Sequence, residues 1–199
     1  MYLLGKPGTG KSTLMLNMIV QDMRAGNSVT LIDPHGDLVE EVLRHIPRRR
    51  TNDVVIIDPS DTLRPVGLNI LQTSASQDNE LVASSIVSIF RHLWADSWGP
   101  RTEYTLYNTI AALLDMPQAT LLDAYRMLID QDFRSSVTKY IQDPMVKLYW
   151  EQVFARYSDR FRQEVISPIQ NKVGQLLTGV HLRNIVGQAN ATQRCQASH

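Results

Sequence analysis

The octet Gly5-Lys6-Pro7-Gly8-Thr9-Gly10-Lys11-Ser12 fits the pattern G-x-x-x-x-G-K-[ST], and no other feature constrains this chain as strongly. Its flanks agree with it. Apolar Tyr2-Leu3-Leu4 reads as a strand running in, and Thr13-Leu14-Met15-Leu16-Asn17-Met18-Ile19 as a helix running out. In such a P-loop, glycines let the backbone turn its N–H groups inward around a phosphate. The helix that follows adds the positive end of its dipole at the same spot. Lys11 then reaches the β- and γ-phosphates of a nucleotide, and the Ser12 hydroxyl binds Mg²⁺. The bland alternative is a glycine-rich turn with a surface lysine. The strand–loop–helix context favours nucleotide binding.

Composition permits a globular fold and excludes a few classes. With 199 residues, 43% of them hydrophobic, the chain can bury a core in one domain or in one domain plus an insert. Its formal net charge of zero announces no global basic field for nucleic acid, although a local channel could still be basic. The single cysteine, Cys195, rules out an internal disulfide framework and fits a reducing, cytoplasmic compartment. No stretch approaches the roughly 18 apolar residues of a membrane span, and nothing resembles a signal peptide.

Residues 1–76 read as alternating strands and helices. Strands are expected at Val29-Thr30-Leu31-Ile32 and Val54-Val55-Ile56-Ile57, each ending in Asp-Pro. Their continuous apolar character suggests strands covered on both faces, hence a parallel sheet. Between the strands, the first helix should stop at Ala25-Gly26-Asn27, and Asp37 should cap a short second one that Pro47 closes. Residues 77–187 carry helical stripes alone. Helices should begin near Asp78, Arg101, Thr120, Asp132, Asp143 and Ser158, with a capping box at Thr120-Leu121-Leu122-Asp123. Residues 188–199 are polar and aperiodic, and are expected to be a disordered tail. The fold class is therefore α/β with an all-α helical part.

Hydrolysis also needs an acid on Mg²⁺ and a group to orient water. Asp58 ends an apolar run as a Walker B acid does, but Pro59 follows it, and Asp-Pro is also a common turn opener. Asp58 is a candidate Mg²⁺ ligand on the first reading and a turn residue on the second. Asp33-Pro34-His35-Gly36-Asp37 places a histidine between two acids, a weak metal signal beside the alternative of a turn leading into a capped helix. Arg48-Arg49-Arg50 is a solvated turn or a phosphate contact. Trp98 anchors a bundle or stacks on a base.

Several segments together resemble the TraG/TraD-like coupling ATPases of conjugative type IV secretion, within the FtsK–HerA superfamily of DNA-pumping motors. They are the octet, Asp33-Pro34-His35-Gly36-Asp37-Leu38, Val55-Ile56-Ile57-Asp58-Pro59-Ser60-Asp61 and Pro65-Val66-Gly67-Leu68-Asn69. In the helical part they are Trp98-Gly99-Pro100-Arg101, Ala119-Thr120-Leu121-Leu122-Asp123 and Asn184-Ile185-Val186-Gly187-Gln188. The resemblance implies a RecA-like P-loop NTPase core interrupted by an all-α domain, assembled as a hexamer that moves DNA with ATP beside the secretion apparatus. It implies that Gly10, Lys11, Ser12 and Thr13 bind the ATP phosphates and Mg²⁺, and that neither Asp33 nor Asp58 is the family's Walker B acid.

The family continues beyond the segment matching Gly187-Gln188 into strands carrying that acid and an arginine region, where this chain has Ala189 to His199. The reading is of a fragment: nucleotide binding, negligible steady-state ATPase by the isolated chain, and a marginal sheet. Two other functions stay open. One is a self-contained P-loop kinase or GTPase using Asp58 for Mg²⁺. The other is a non-catalytic helical adaptor with a vestigial nucleotide site.

Overall fold

Local capping signals decide where the helices begin and end. A computed structural model of the chain describes residues 3–63, 65–73 and 78–189. Helix α1 (Lys11–Ala25) stops at Gly26, whose φ of 90° lies in the left-handed region that glycine tolerates and other residues resist. Helix α2 (Asp37–Arg44) follows a second left-handed glycine, Gly36. The remaining helices are α3 (Asn79–Leu93), α4 (Pro100–Leu114), α5 (Leu121–Ile129), α6 (Gln131–Val137), α7 (Pro144–Leu148), α8 (Asp159–Thr178) and α9 (Val180–Val186). Asp78, Asp143 and Ser158 accept from the first-turn N–H groups of α3, α7 and α8, and Thr120 with Asp123 closes a capping box on α5. The cap of α6 is Asp130, which accepts from the Phe133 N–H at 3.0 Å; Asp132, expected there, is already inside the helix.

The expected parallel sheet is not present. The described residues contain no strand, so the α/β, RecA-like fold class is corrected to an all-helical one. The runs at Val29–Ile32 and Val54–Ile57 are chain without ladder partners, although Val54 itself has an extended backbone. Tyr2 of the first expected strand lies outside the described residues. A strand is a relation between two segments, because its N–H and C=O groups must meet those of a neighbour. Apolar content at one segment cannot supply that neighbour. Burial tells the same story: Leu4 is 80% exposed, Ile32 87% and Val55 54%, the reverse of a strand covered on both faces.

The described chain divides into two units, one up to Ile56 and one from Ile57. In the first, Val20 is the single buried residue among those described. The second has a dense core. Leu106, Ile110 and Leu113 of α4 are fully enclosed among Met127 and Leu128 of α5, Ile169 and Val173 of α8, and Tyr149 and Phe154. Tyr149 lies in a π-helical turn (Tyr149–Val153) continuing α7, and Phe154 in the 3₁₀ turn that follows (Phe154–Arg156). Two polar pairs sit inside this core, where burial favours pairing. The Thr105 hydroxyl meets the Tyr149 hydroxyl at 2.9 Å, and the Trp150 indole N–H donates to the Asn108 carbonyl at 3.1 Å.

Asn69 ties the segment ahead of α3 into this unit. Its amide N–H₂ donates to the Ala119 and Ala189 carbonyls, both at 2.8 Å, and its carbonyl oxygen accepts from the Leu71 N–H at 3.0 Å. Nearby, the Leu68 N–H donates to the Ile185 carbonyl, and Gln188 donates to the Pro65 carbonyl. The tail expected from residue 188 lies outside the described residues beyond Ala189, as does Cys195.

Candidate nucleotide and nucleic-acid sites

The loop of residues 5–10 owes its shape to glycine. Gly8 and Gly10 have φ of 82° and 83°, left-handed values that cost a residue with a Cβ about 1–2 kcal/mol. At Gly5 a Cβ would stand 2.6 Å from the Thr9 Oγ1, inside contact distance. The Thr9 hydroxyl donates to the Lys6 carbonyl at 2.8 Å and braces the turn. Lys11 folds back across the loop, its Nζ donating to the Gly5 carbonyl at 2.7 Å and the Lys6 carbonyl at 2.8 Å.

Helix α1 begins directly after this turn. No side chain caps it and its first turn holds no acid. Its first N–H groups have no partner within the helix, and the dipole makes that end positive. This is the geometry that favours an anion, supplied by backbone and a lysine together. Ser12 and Thr13 of the first turn line a cavity of about 380 Å³ with Leu16, Asp33, His35 and Glu41. The donors present therefore suit a phosphate group, with the hydroxyl of Ser12 beside them for a cation. Gly5, Pro7, Gly8, Thr9 and Gly10 are exposed.

Asp33 is drawn into structural work. Its carboxylate accepts from the N–H groups of His35, Leu38 and Val39, at 3.1, 2.9 and 3.3 Å. These bonds, the one from His35 foremost, hold its pKa below the usual carboxylate value. The cap expected from Asp37 is thus made by Asp33, while Asp37 is the first residue of α2. Asp58 lies in the second unit. It accepts from the Ser60 hydroxyl at 2.7 Å and the Ser60 N–H at 2.8 Å, and these bonds lower its pKa. That is the arrangement of an aspartate opening a turn.

The basic run lies in a 3₁₀ turn (Arg48–Asp53) with Arg48 and Arg49 exposed, the solvated turn expected of it, and it also makes specific bonds. Arg49 donates to the Arg24 carbonyl at 2.6 Å, and Arg50 to the Asn27 carbonyl at 2.7 Å and the Met23 carbonyl at 3.3 Å. Two of its arginines thereby cover carbonyls at the negative end of α1, where cations are stabilising. Trp98 is half-buried against the core, and its indole donates to Glu103 at 2.7 Å. Sequence reading missed a pair of arginines, Arg134 on α6 and Arg162 on α8, that share one cavity in the second unit. They are far apart along the chain, and nothing local connects them.

Against known proteins, the family model described as "Type IV secretion-system coupling protein DNA-binding domain" matches residues 1–177. No curated protein and no solved structure matches the chain.

Proposed function

Since the chain belongs to the family of type IV secretion-system coupling protein DNA-binding domains, we propose that it is the nucleotide-binding portion of a motor ATPase that moves DNA during conjugative transfer. The motor is of the FtsK–HerA kind, works in the cytoplasm and assembles from several copies, six in the complete ring. The observation that carries the nucleotide reading is the uncapped start of α1 behind two left-handed glycines, with Lys11 held across the loop.

In this reading ATP supplies the polyphosphate and Mg²⁺ the countercharge. The first N–H groups of α1 and those of the Gly8–Gly10 turn receive phosphate oxygens. Lys11 exchanges its carbonyl partners at Gly5 and Lys6 for the phosphate, a stronger charge-assisted contact. Ser12 offers its hydroxyl to the cation, and Thr13 donates from the same turn. Asp33 keeps α2 in place beside this turn through its three N–H bonds. No observation favours a kinase or GTPase that relies on Asp58, whose carboxylate is engaged by Ser60.

The test is calorimetry of the chain with Mg·ATP, Mg·ADP and Mg·GTP, beside Lys11→Ala. ATP binding that Lys11→Ala abolishes supports the proposal. Absence of heat from all three nucleotides, with the protein folded by circular dichroism, ends it.

A further inference from the structure

Two arginines of like charge share a small cavity in the helical unit. The cavity, about 210 Å³, is lined by Gln131, Arg134, Ser135, Thr138, Glu151 and Arg162. Both guanidinium groups lie over the Phe154 ring, at 5.0 Å for Arg134 and 5.7 Å for Arg162. Phe154 is a core residue, 1% exposed, so this floor is rigid.

Neither arginine is neutralised by a well-placed carboxylate. Among the described residues Arg134 has no acid within ion-pair distance; its Nη1 donates to the Met127 and Leu128 carbonyls at 2.9 and 3.3 Å. Arg162 makes one long contact, 3.5 Å, to a solvent-exposed Asp159 and donates to the Tyr157 carbonyl at 3.2 Å. Its Nε is buried and has no hydrogen-bond partner. A buried N–H without an acceptor is costly and rare in a native structure. Burial and the neighbouring Arg162 charge also lower the Arg134 pKa. Glu151 is the only acid on the lining; it is exposed and pairs with neither arginine.

We propose that Arg134 and Arg162 form a phosphate-binding site in the helical unit, with Ser135, Thr138 and Gln131 as rim donors. Arginine suits a tetrahedral oxyanion because its planar fork donates two N–H groups at once. The cavity is smaller than the roughly 300–1,000 Å³ of a typical small-molecule pocket, so it takes a phosphate group and not a whole nucleotide. A backbone phosphate of DNA and a free phosphate ester share this chemistry. The DNA source rests on the reading given under Proposed function; the anion chemistry does not.

The experiment records arginine side-chain N–H resonances of the full chain by NMR during titration with inorganic phosphate, then with a single-stranded and a duplex oligonucleotide. The variants are Arg162→Lys, Arg134→Gln and Ser135→Glu, the last adding a carboxylate at an exposed rim position without touching the core. The expected result is movement of the Arg134 and Arg162 signals with phosphate, and about a tenfold loss of oligonucleotide affinity in each variant. In Arg134→Gln, which removes a charge, the slope of log affinity against log salt shrinks by about one; Arg162→Lys keeps its charge and the slope, and loses only the planar fork. If phosphate moves the signals but the variants bind oligonucleotide like the wild type, the DNA source is overturned and a free ester takes its place. If neither ligand moves them, the site is overturned. Lys11→Ala runs alongside: it removes nucleotide binding and leaves the arginine responses intact, which separates failure of one site from failure of the other.

Discussion

The Lys11 ammonium donates to the Gly5 carbonyl at 2.7 Å, so the lysine that ends the glycine-rich octet is bonded to the residue that opens it. A second bond, to the Lys6 carbonyl, closes the ring. The consequence is a loop held in shape by its own lysine, the cation that the proposed nucleotide would have to recruit.

On the proposed function, replacing Lys11 by alanine removes its charge-assisted contact to the nucleotide phosphate, and ATP affinity should fall by at least about tenfold. The core of the helical unit contains nothing from this loop, so its thermal unfolding should not move. Calorimetry and a thermal melt on the same sample check both halves.

Asp33 makes the anchoring of α2 sensitive to acid. Its folded pKa is depressed by the N–H groups of His35, Val39 and Leu38. The carboxylate therefore contributes stability at pH above its unfolded value, about 3.9. That contribution is lost as pH falls through the depressed folded value. Protection of the Leu38 and Val39 amides, measured against the intrinsic exchange rate at each pH, should decrease at pH below about 4 in the wild-type chain. In Asp33→Asn, which keeps one accepting oxygen and no charge, protection should be lower at neutral pH and lack that acid step.

Tyr149→Phe deletes one partner of the 2.9 Å bond to Thr105 inside the core. Thr105 is 2% exposed and would keep a hydroxyl with no water to turn to. The expected cost is about 1–3 kcal/mol, read as a lower denaturation midpoint at an unchanged slope. In the wild type, burial also raises the Tyr149 pKa far above the ordinary value, so this phenol should stay protonated in an alkaline titration that ionises exposed tyrosines.

Asn69→Ala should be worse than its small volume change suggests. It removes two donors and one acceptor that join Ala119, Ala189 and Leu71. At about 1 kcal/mol per net hydrogen bond, the loss is about 2–3 kcal/mol. Urea unfolding followed by circular dichroism measures it.

Features that depend on a few neighbouring residues were readable directly from the order of the amino acids. Gly26 ends α1, Thr120 and Asp123 box the start of α5, and Asp143-Pro144 and Ser158 open α7 and α8. The octet likewise announced a glycine-dependent turn and the helix behind it. Such signals work because cap and helix are hydrogen-bonded over three or four residues. The apolar runs at Val29–Ile32 and Val54–Ile57 misled for the converse reason: an apolar run becomes a strand only beside another strand, and no neighbour is encoded in the run itself.

Tertiary structure alone decided the remainder. It turned Arg49 and Arg50 onto carbonyls at the end of α1, more than twenty residues back along the chain. It brought Arg134 and Arg162 together above Phe154. Each of these depends on where one element lies against another, and that position is set by side-chain packing between segments remote in sequence. The chain's order fixes its helix ends and its glycine turn; the encounter of distant charges exists only once the core has closed beneath them.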